Sequence, residues 1–367
     1  VNLKLITVLI FSVTLEASAR APSTYLQLRN DLQRVSKREV SEWVNGLVKA
    51  SAPSRMVGLP GNEKARNFIQ ETISTLDPKK SGKLSLHTVA PEIEVVKDFY
   101  QKDFDEKVEG KIPKTNPEYK KWTSFTSFMK NFAEKNKTTS VNNVVWEKTG
   151  INSDKVLIVT AHFDTISHDK NTLLVKENES MPGANYNASG VAVALGLIKV
   201  LSQIDLNYSV KVVFLDWQGI GFHGSYLYAK ELKKSQKDIL GVINLEMLGQ
   251  DTSFFDKNKK TGNMSVYLRY NNDEKKWVSK LINYGKEITT KVDFEMKANG
   301  FENSDNFRFN EQGFLSATFS QNWEDDFNPK FYQTALDTPE TLNHDTLYFS
   351  YQYVGGAVLG TLLDLTK

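Results

Sequence analysis

No cysteine occurs in the 367 residues, which excludes disulfides, thiol nucleophiles and a lipid-modified cysteine and leaves stability to the packed core. Charge of neither sign predominates: 46 Lys and Arg stand against 44 Asp and Glu, a formal net charge of +2. With no long basic patch, nucleic acid is not an expected partner. A Gly-x-Ser-x-Gly nucleophile elbow is also missing, so neither a serine nor a cysteine hydrolase is indicated. No internal repeat or low-complexity tract points to a solenoid or a linker array.

Long apolar runs are scarce. The stretch from Leu5 to Leu15, preceded by Lys4 and followed by Ala17-Ser18-Ala19, reads as a secretory signal over residues 1–19 with cleavage after Ala19. Its apolar core is too short for a mature membrane helix, so no span is expected after cleavage. Export without disulfides fits a periplasm or culture medium better than a eukaryotic secretory route.

The remaining residues, 20–367, read as a single α/β domain, because apolar strands alternate with helical stretches. Apolar spacing of three and four predicts a helix from Tyr25 to Ala50, and another follows from Gly61 to Leu76. Strands are expected near Leu84–Val89, Val141–Trp146, Val156–Ala161, Val210–Leu215, Gly241–Leu245, Met264–Arg269 and Phe314–Phe319. Helices are expected over Glu274–Thr289 and Leu347–Leu363. Residues 91–137, rich in Lys, Glu, Phe and Trp, read as an inserted pair of helical halves broken at Ile112–Pro117, either a lid or plain surface elaboration. The expected architecture is a mixed, mostly parallel central sheet with helices on both faces and a pocket outside the strands' carboxyl ends.

Four blocks cluster at those ends. The strand Val156–Ala161 runs into His162-Phe163-Asp164. Pro182-Gly183-Ala184-Asn185-Tyr186-Asn187-Ala188-Ser189-Gly190 opens an apolar helix. Val210–Leu215 leads into Asp216-Trp217-Gln218-Gly219, and Gly241–Leu245 ends in Glu246. Further on stand Ser304-Asp305-Asn306 and Tyr332-Gln333-Thr334, followed by Asp337-Thr338. In order and spacing these blocks resemble the M28 family of zinc aminopeptidases, from about Arg55 to the final helix. The resemblance implies five ligand positions for two zinc ions, here His162, Tyr186, Gly219, Glu246 and Gln333, and a general-base position, here Gln218.

Only His162 keeps the residue expected there. Glu246 is a carboxylate one methylene longer than the expected aspartate, Tyr186 is a phenol, Gln333 an amide, and Gly219 has no side chain. Two adjacent divalent ions need several negative charges, and an amide at 218 cannot take a proton from water near neutral pH. His162 and Glu246 are therefore expected to be remnants of a metal site. No cofactor is expected, and His162, Asp164, Asn185, Tyr186, Gln218, Gly219, Glu246, Asp305 and Gln333 should line a neutral pocket. The expected function is that of an exported pseudopeptidase keeping its pocket for a peptide or protein partner. The alternative is an active aminopeptidase with a single zinc held by His162, Glu246 and Asp305 or His168. Asp216 is expected to be a hydrogen-bonding loop acid. The family register places His223 towards the next helix and His344 beyond the last turn.

Overall fold

In the computed structural model the described residues are 24–250, 262–269, 271–324 and 328–365. The expected signal segment lies outside them. The strands are β1 (Lys83–Val89), β2 (Val141–Lys148), β3 (Asn152–His162), β4 (Tyr208–Leu215), β5 (Asp238–Leu245), β6 (Gly262–Tyr267), β7 (Val292–Lys297) and β8 (Ser316–Gln321). Among the described residues they form one eight-stranded sheet in the order β1-β2-β4-β3-β5-β8-β6-β7. Strands β4, β3, β5 and β8 are mutually parallel and central, and antiparallel pairings join β1 to β2, β2 to β4 and β6 to β8. The mixed, mostly parallel sheet is therefore as expected.

Period-two alternation along β3 sends its side chains to opposite faces. Leu157, Val159 and Ala161 join a core built with α1 (Tyr25–Leu32), α2 (Lys37–Ala50), α3 (Pro60–Leu76), α6 (Ser189–Leu201), α8 (Asn272–Ile288) and α10 (His344–Leu362). Val156 and Ile158 pack on the other face with α7 (His223–Leu232) and α9 (Asn306–Glu311). The apolar stretch Ala184–Leu201 is long enough to cross a membrane by composition, yet 94% of it is buried in the body, as for a core helix.

The helix expected over Tyr25–Ala50 is two helices. Ser36 accepts from the Glu39 N–H while the Glu39 carboxylate accepts from the Ser36 N–H, a reciprocal capping box that starts α2 afresh. The insertion forms α4 (Ile93–Lys107) and α5 (Pro117–Lys135), the second started by the Asn116 side chain and Pro117 at its first turn. Strand β7 was not anticipated although Val292–Lys297 alternates apolar residues with charges, a strand pattern that the sequence reading passed over; the six residues of α9 are too few for a helical period to show.

Candidate functional site

Because the four central strands are parallel, their carboxyl ends bring His162, the loop after Leu215, Glu246 and the segment after Gln321 to one place. His162, Asp164, Asn185, Tyr186, Gln218, Glu246 and Asp305 all lie there and all are buried.

One part of the site is a backbone brace. Asp164 accepts the N–H groups of Gln218 and Gly219, each at 3.0 Å. Asp337 accepts those of Asn185 at 2.8 Å and Tyr186 at 3.0 Å. The buried Arg55 guanidinium donates to the carbonyls of Phe163, Pro182 and Gly183. Burial lowers its pKa to about 10, while the Asp337 and Asp164 carboxylates favour its charge. Asn187 follows a cis peptide after Tyr186. It ties the turn to β5 through Leu245 O at 2.8 Å and Met247 N at 3.0 Å.

The other part faces what would be the reacting centre. The Tyr186 hydroxyl donates to Gln218 Oε1 at 2.5 Å, and the Gln333 amide sits beside the same hydroxyl. Burial, then Tyr332, Glu246 and Asp164, holds the Tyr186 pKa well above 10, so the phenol keeps its proton. The Tyr332 ring packs edge-on against Tyr186 at 5.1 Å, and His162 does so from another side at 4.8 Å. At Gly219 a Cβ would lie 2.9 Å from Ile166 Cβ and 3.0 Å from Ile166 Cγ2. Ile166 thus occupies the space that a longer side chain at 219 would need.

His162 Nδ1 bonds to Asp164 O at 3.1 Å, and its Nε2 lies 3.7 Å from Glu246 Oε1, beyond hydrogen-bond reach. Burial opposes the imidazolium, but Asp164 and Glu246 outweigh it and raise the pKa to about 10. His162 Nε2, Glu246 Oε2 and Asp305 Oδ2 are buried without a hydrogen-bond partner. Asp305 Oδ1 accepts from Ser225 at 2.6 Å, and burial pushes the Asp305 pKa up to about 7.

Space beside the turn that carries Tyr186 is small. Beside Asn185, Tyr186, Met247, Gln321, Tyr332 and Asp337 the cavity measures about 10 Å³, room for roughly one water. The physical reason is continuous apolar packing. Ile166, Tyr186, Trp217 and Met247 belong to one hydrophobic cluster with Val96 and Tyr100 of α4 and Met129 and Phe132 of α5. Tyr100 reaches Gly219 O at 3.4 Å, and Phe99 packs on Phe222 and Phe307. The insertion therefore docks on the very loop that carries Gln218 and Gly219.

The other sequence candidates stand apart from this centre. Asp216 accepts from the Asn62 side chain and from Asn142 N and Trp217 N, the hydrogen-bonding loop role expected of it. His168 bonds to Leu173 O and packs on Phe125. His223 begins α7, accepts from Glu92 N at 2.8 Å, and is held neutral by burial, its pKa near 4. His344 begins α10 beside Ser41. Sequence reasoning missed Ile166, which carries no chemical signature, and quoted Tyr332 and Asp337 without giving either a role.

The model of peptidase family M28 matches residues 143–355, more than half of the chain. The chain belongs to peptidase family M28. Among curated relatives, this M28 chain is 25% identical over 221 residues to the aminopeptidase YwaD of Bacillus subtilis, covering 58% of this chain and 41% of that one. It is 27% identical over 114 residues to a protein of Pyrenophora tritici-repentis named "Probable zinc metalloprotease", covering 31% of this chain and 23% of the relative. The alignments thus span less than half of these relatives' length. Among solved structures, the zinc aminopeptidase BSAP of Bacillus subtilis superposes with a TM-score of 0.65 at 17% identity, over 89% of this chain and 95% of that one. The LapA aminopeptidase of Legionella pneumophila gives 0.63 at 15% identity, over 93% and 76%. These likenesses concern the fold.

Proposed function

We propose that this chain is an exported, non-catalytic member of family M28 that acts by binding a peptide or protein partner and not by hydrolysis. The observation that carries the reading is the hydrogen bond from Tyr186 to Gln218. It joins the two positions where the family resemblance expects a metal-bridging acid and a general base, and both side chains are neutral. A pair of zinc ions does not fit this donor set, since His162 and Glu246 are the only imidazole and carboxylate left at the five ligand positions. Replacing a metal-holding carboxylate cluster with neutral partners removes the repulsion that an empty cluster would suffer.

A second reading, one metal ion held by His162, Glu246 and Asp305, is favoured by the three unpaired buried atoms of those residues. Against it, Ser225 already takes one Asp305 oxygen, and among the described residues no three His, Asp or Glu side chains gather as a metal-binding group. Elemental analysis of the purified protein after zinc loading and dialysis, with aminopeptidase substrates assayed on the same sample, separates the two. The non-catalytic reading expects far less than one zinc per chain and no turnover. Stoichiometric zinc with turnover that His162→Ala abolishes would overturn it.

A further inference from the structure

We infer that His223 is an acid-sensitive latch for the inserted helices, whose protonation unseats the start of α4 at Glu92 and loosens the insertion from the loop that carries Gln218 and Gly219. The latch does not depend on whether the site beneath is catalytic. His223 is fully buried, and its Nε2 accepts the Glu92 N–H at 2.8 Å. Glu92 is the residue from which α4 departs, and no side chain caps that helix. A ring nitrogen that accepts carries no proton, so the neutral ring holds its proton on Nδ1. An added proton must go to Nε2, where it meets the Glu92 N–H donor against donor and the bond is lost.

The surroundings disfavour the added charge. Nδ1 is buried without a partner, and so is Nε1 of Trp217, whose ring lies 6.0 Å away; an indole N–H can only donate. Tyr226 of α7 stacks on the imidazole at 5.5 Å. The charged groups that act on His223 are Arg308 of α9, Glu92 and Lys230 of α7. Glu92 is the one acid among them, and its carboxylate is already engaged by Lys230 at 2.7 and 3.0 Å and by the Tyr226 hydroxyl at 3.3 Å. Burial and the two cations hold the docked ring neutral down to a pKa of about 4. A ring released to water titrates near 6.5. As pH falls from 6.5 to 4, the released form therefore gains on the docked form by roughly tenfold per unit.

What the latch holds is the root of the insertion. Further along α4, Phe99 packs edge-on against Phe222 at 5.8 Å and lies under the Arg308 guanidinium at 4.6 Å, and Tyr100 reaches Gly219 O. These contacts set the first half of α4 over the loop that follows β4, so a break at Glu92 frees the end of the helix that covers that loop. The other imidazole that touches the insertion is His168, against Phe125 of α5 at 5.8 Å, and burial lowers its pKa as well. His168 Nδ1 donates to Leu173 O in its own loop. Protonation keeps that donor in place, so His168 has no bond to the insertion for acid to break.

Hydrogen exchange of the full mature chain, read by mass spectrometry from about pH 7 to about pH 4.5 and corrected for the intrinsic pH dependence of amide exchange, tests the latch. Peptides from residues 90–137 should open roughly tenfold more often per pH unit below 6.5, while peptides from β3 and β5 keep their protection. His223→Gln offers Glu92 an amide oxygen that does not titrate, and its insertion should exchange independently of pH over the same range. A flat wild-type profile, an equal rise in His223→Gln, or an equal rise in β3 and β5 overturns the inference, the second result pointing to His168 and the third to general unfolding by acid. Should His223→Gln fail to fold, nitrogen NMR of the wild-type ring decides. At about pH 7 His223 should be neutral with its proton on Nδ1, and a charged ring or one protonated on Nε2 would refute the latch.

Discussion

Two sets of side chains meet at the carboxyl ends of the central strands, and they have fared differently. Asp164 and Asp337 remain acids although both are buried. Tyr186, Gln218, Gly219 and Gln333 are neutral where the family resemblance expects acids or a histidine. What separates the sets is where their oxygens point. Asp164 and Asp337 each accept two main-chain N–H groups, so their charge has fixed partners inside the protein itself. The neutral set points at the place where metal ions would sit, and a carboxylate there would face Glu246 and Asp164 with no amide to meet it. An acid that braces the backbone is scaffold and is useful without a metal. An acid placed to face a metal is a liability wherever no metal is bound.

The largest effect should therefore come from the braced set. Asp337→Ala leaves the amides of Asn185 and Tyr186 unpaired and removes one of two carboxylates that favour the buried Arg55 charge. Breaking a buried charge network of this kind costs about 3–5 kcal/mol, and Asp337→Asn, which keeps one acceptor, should cost visibly less. Urea unfolding of the two variants measures both. Equal and small losses would mean that the brace is dispensable and that the division between the two sets is not the one drawn here.

The next effect tests the residue that belongs to both sets. His162 is tied to Asp164 yet also faces Glu246. Its pKa is raised from 6.5 to about 10, so the folded state holds a proton that the unfolded state releases. Its contribution to stability is complete below pH 6.5 and is lost as pH rises towards 10, an effect on the order of a few kcal/mol. Melting temperatures of the wild type should fall across that window more steeply than those of His162→Gln. Parallel curves would show that the imidazole is neutral in the folded protein.

How much of this was legible in the sequence follows the same division. Apolar runs such as Val156–Ala161 and Val210–Leu215 declared the central strands, and the motif register carried His162, Gln218 and Glu246 to their carboxyl ends. Both rest on local pattern. The break between α1 and α2 was written in Ser36 and Glu39, but apolar spacing ran straight through it and masked the cap. Ile166 was illegible for a different reason. Ile166 is an ordinary core residue whose meaning lies in the space it takes beside Gly219, and that is a tertiary property. For the same reason the sequence did not show that Tyr186 and Ile166 share a cluster with α4 and α5. Nothing in residues 91–137 taken alone says which loop they cover.

The smallest of the expected effects bears directly on that space. At Gly219 even a methyl group would meet Ile166 at 2.9 Å, so Gly219→Ala should destabilise by about 1–3 kcal/mol, the range for overpacking a filled core. Ile166→Ala alone opens a void and should cost about 2–5 kcal/mol. If the two residues compete for one volume, the double variant must cost less than the two single losses together, by about 0.5–3 kcal/mol in a double-mutant cycle. Additive losses would mean that Ile166 does not hold the space beside Gly219. A coupling of that sign would place the barrier to a restored ligand in packing as well as in charge. Rebuilding an acid at 219 would then require clearing Ile166 first, because the hydrophobic cluster around Tyr186 has taken over the volume along with the neutrality.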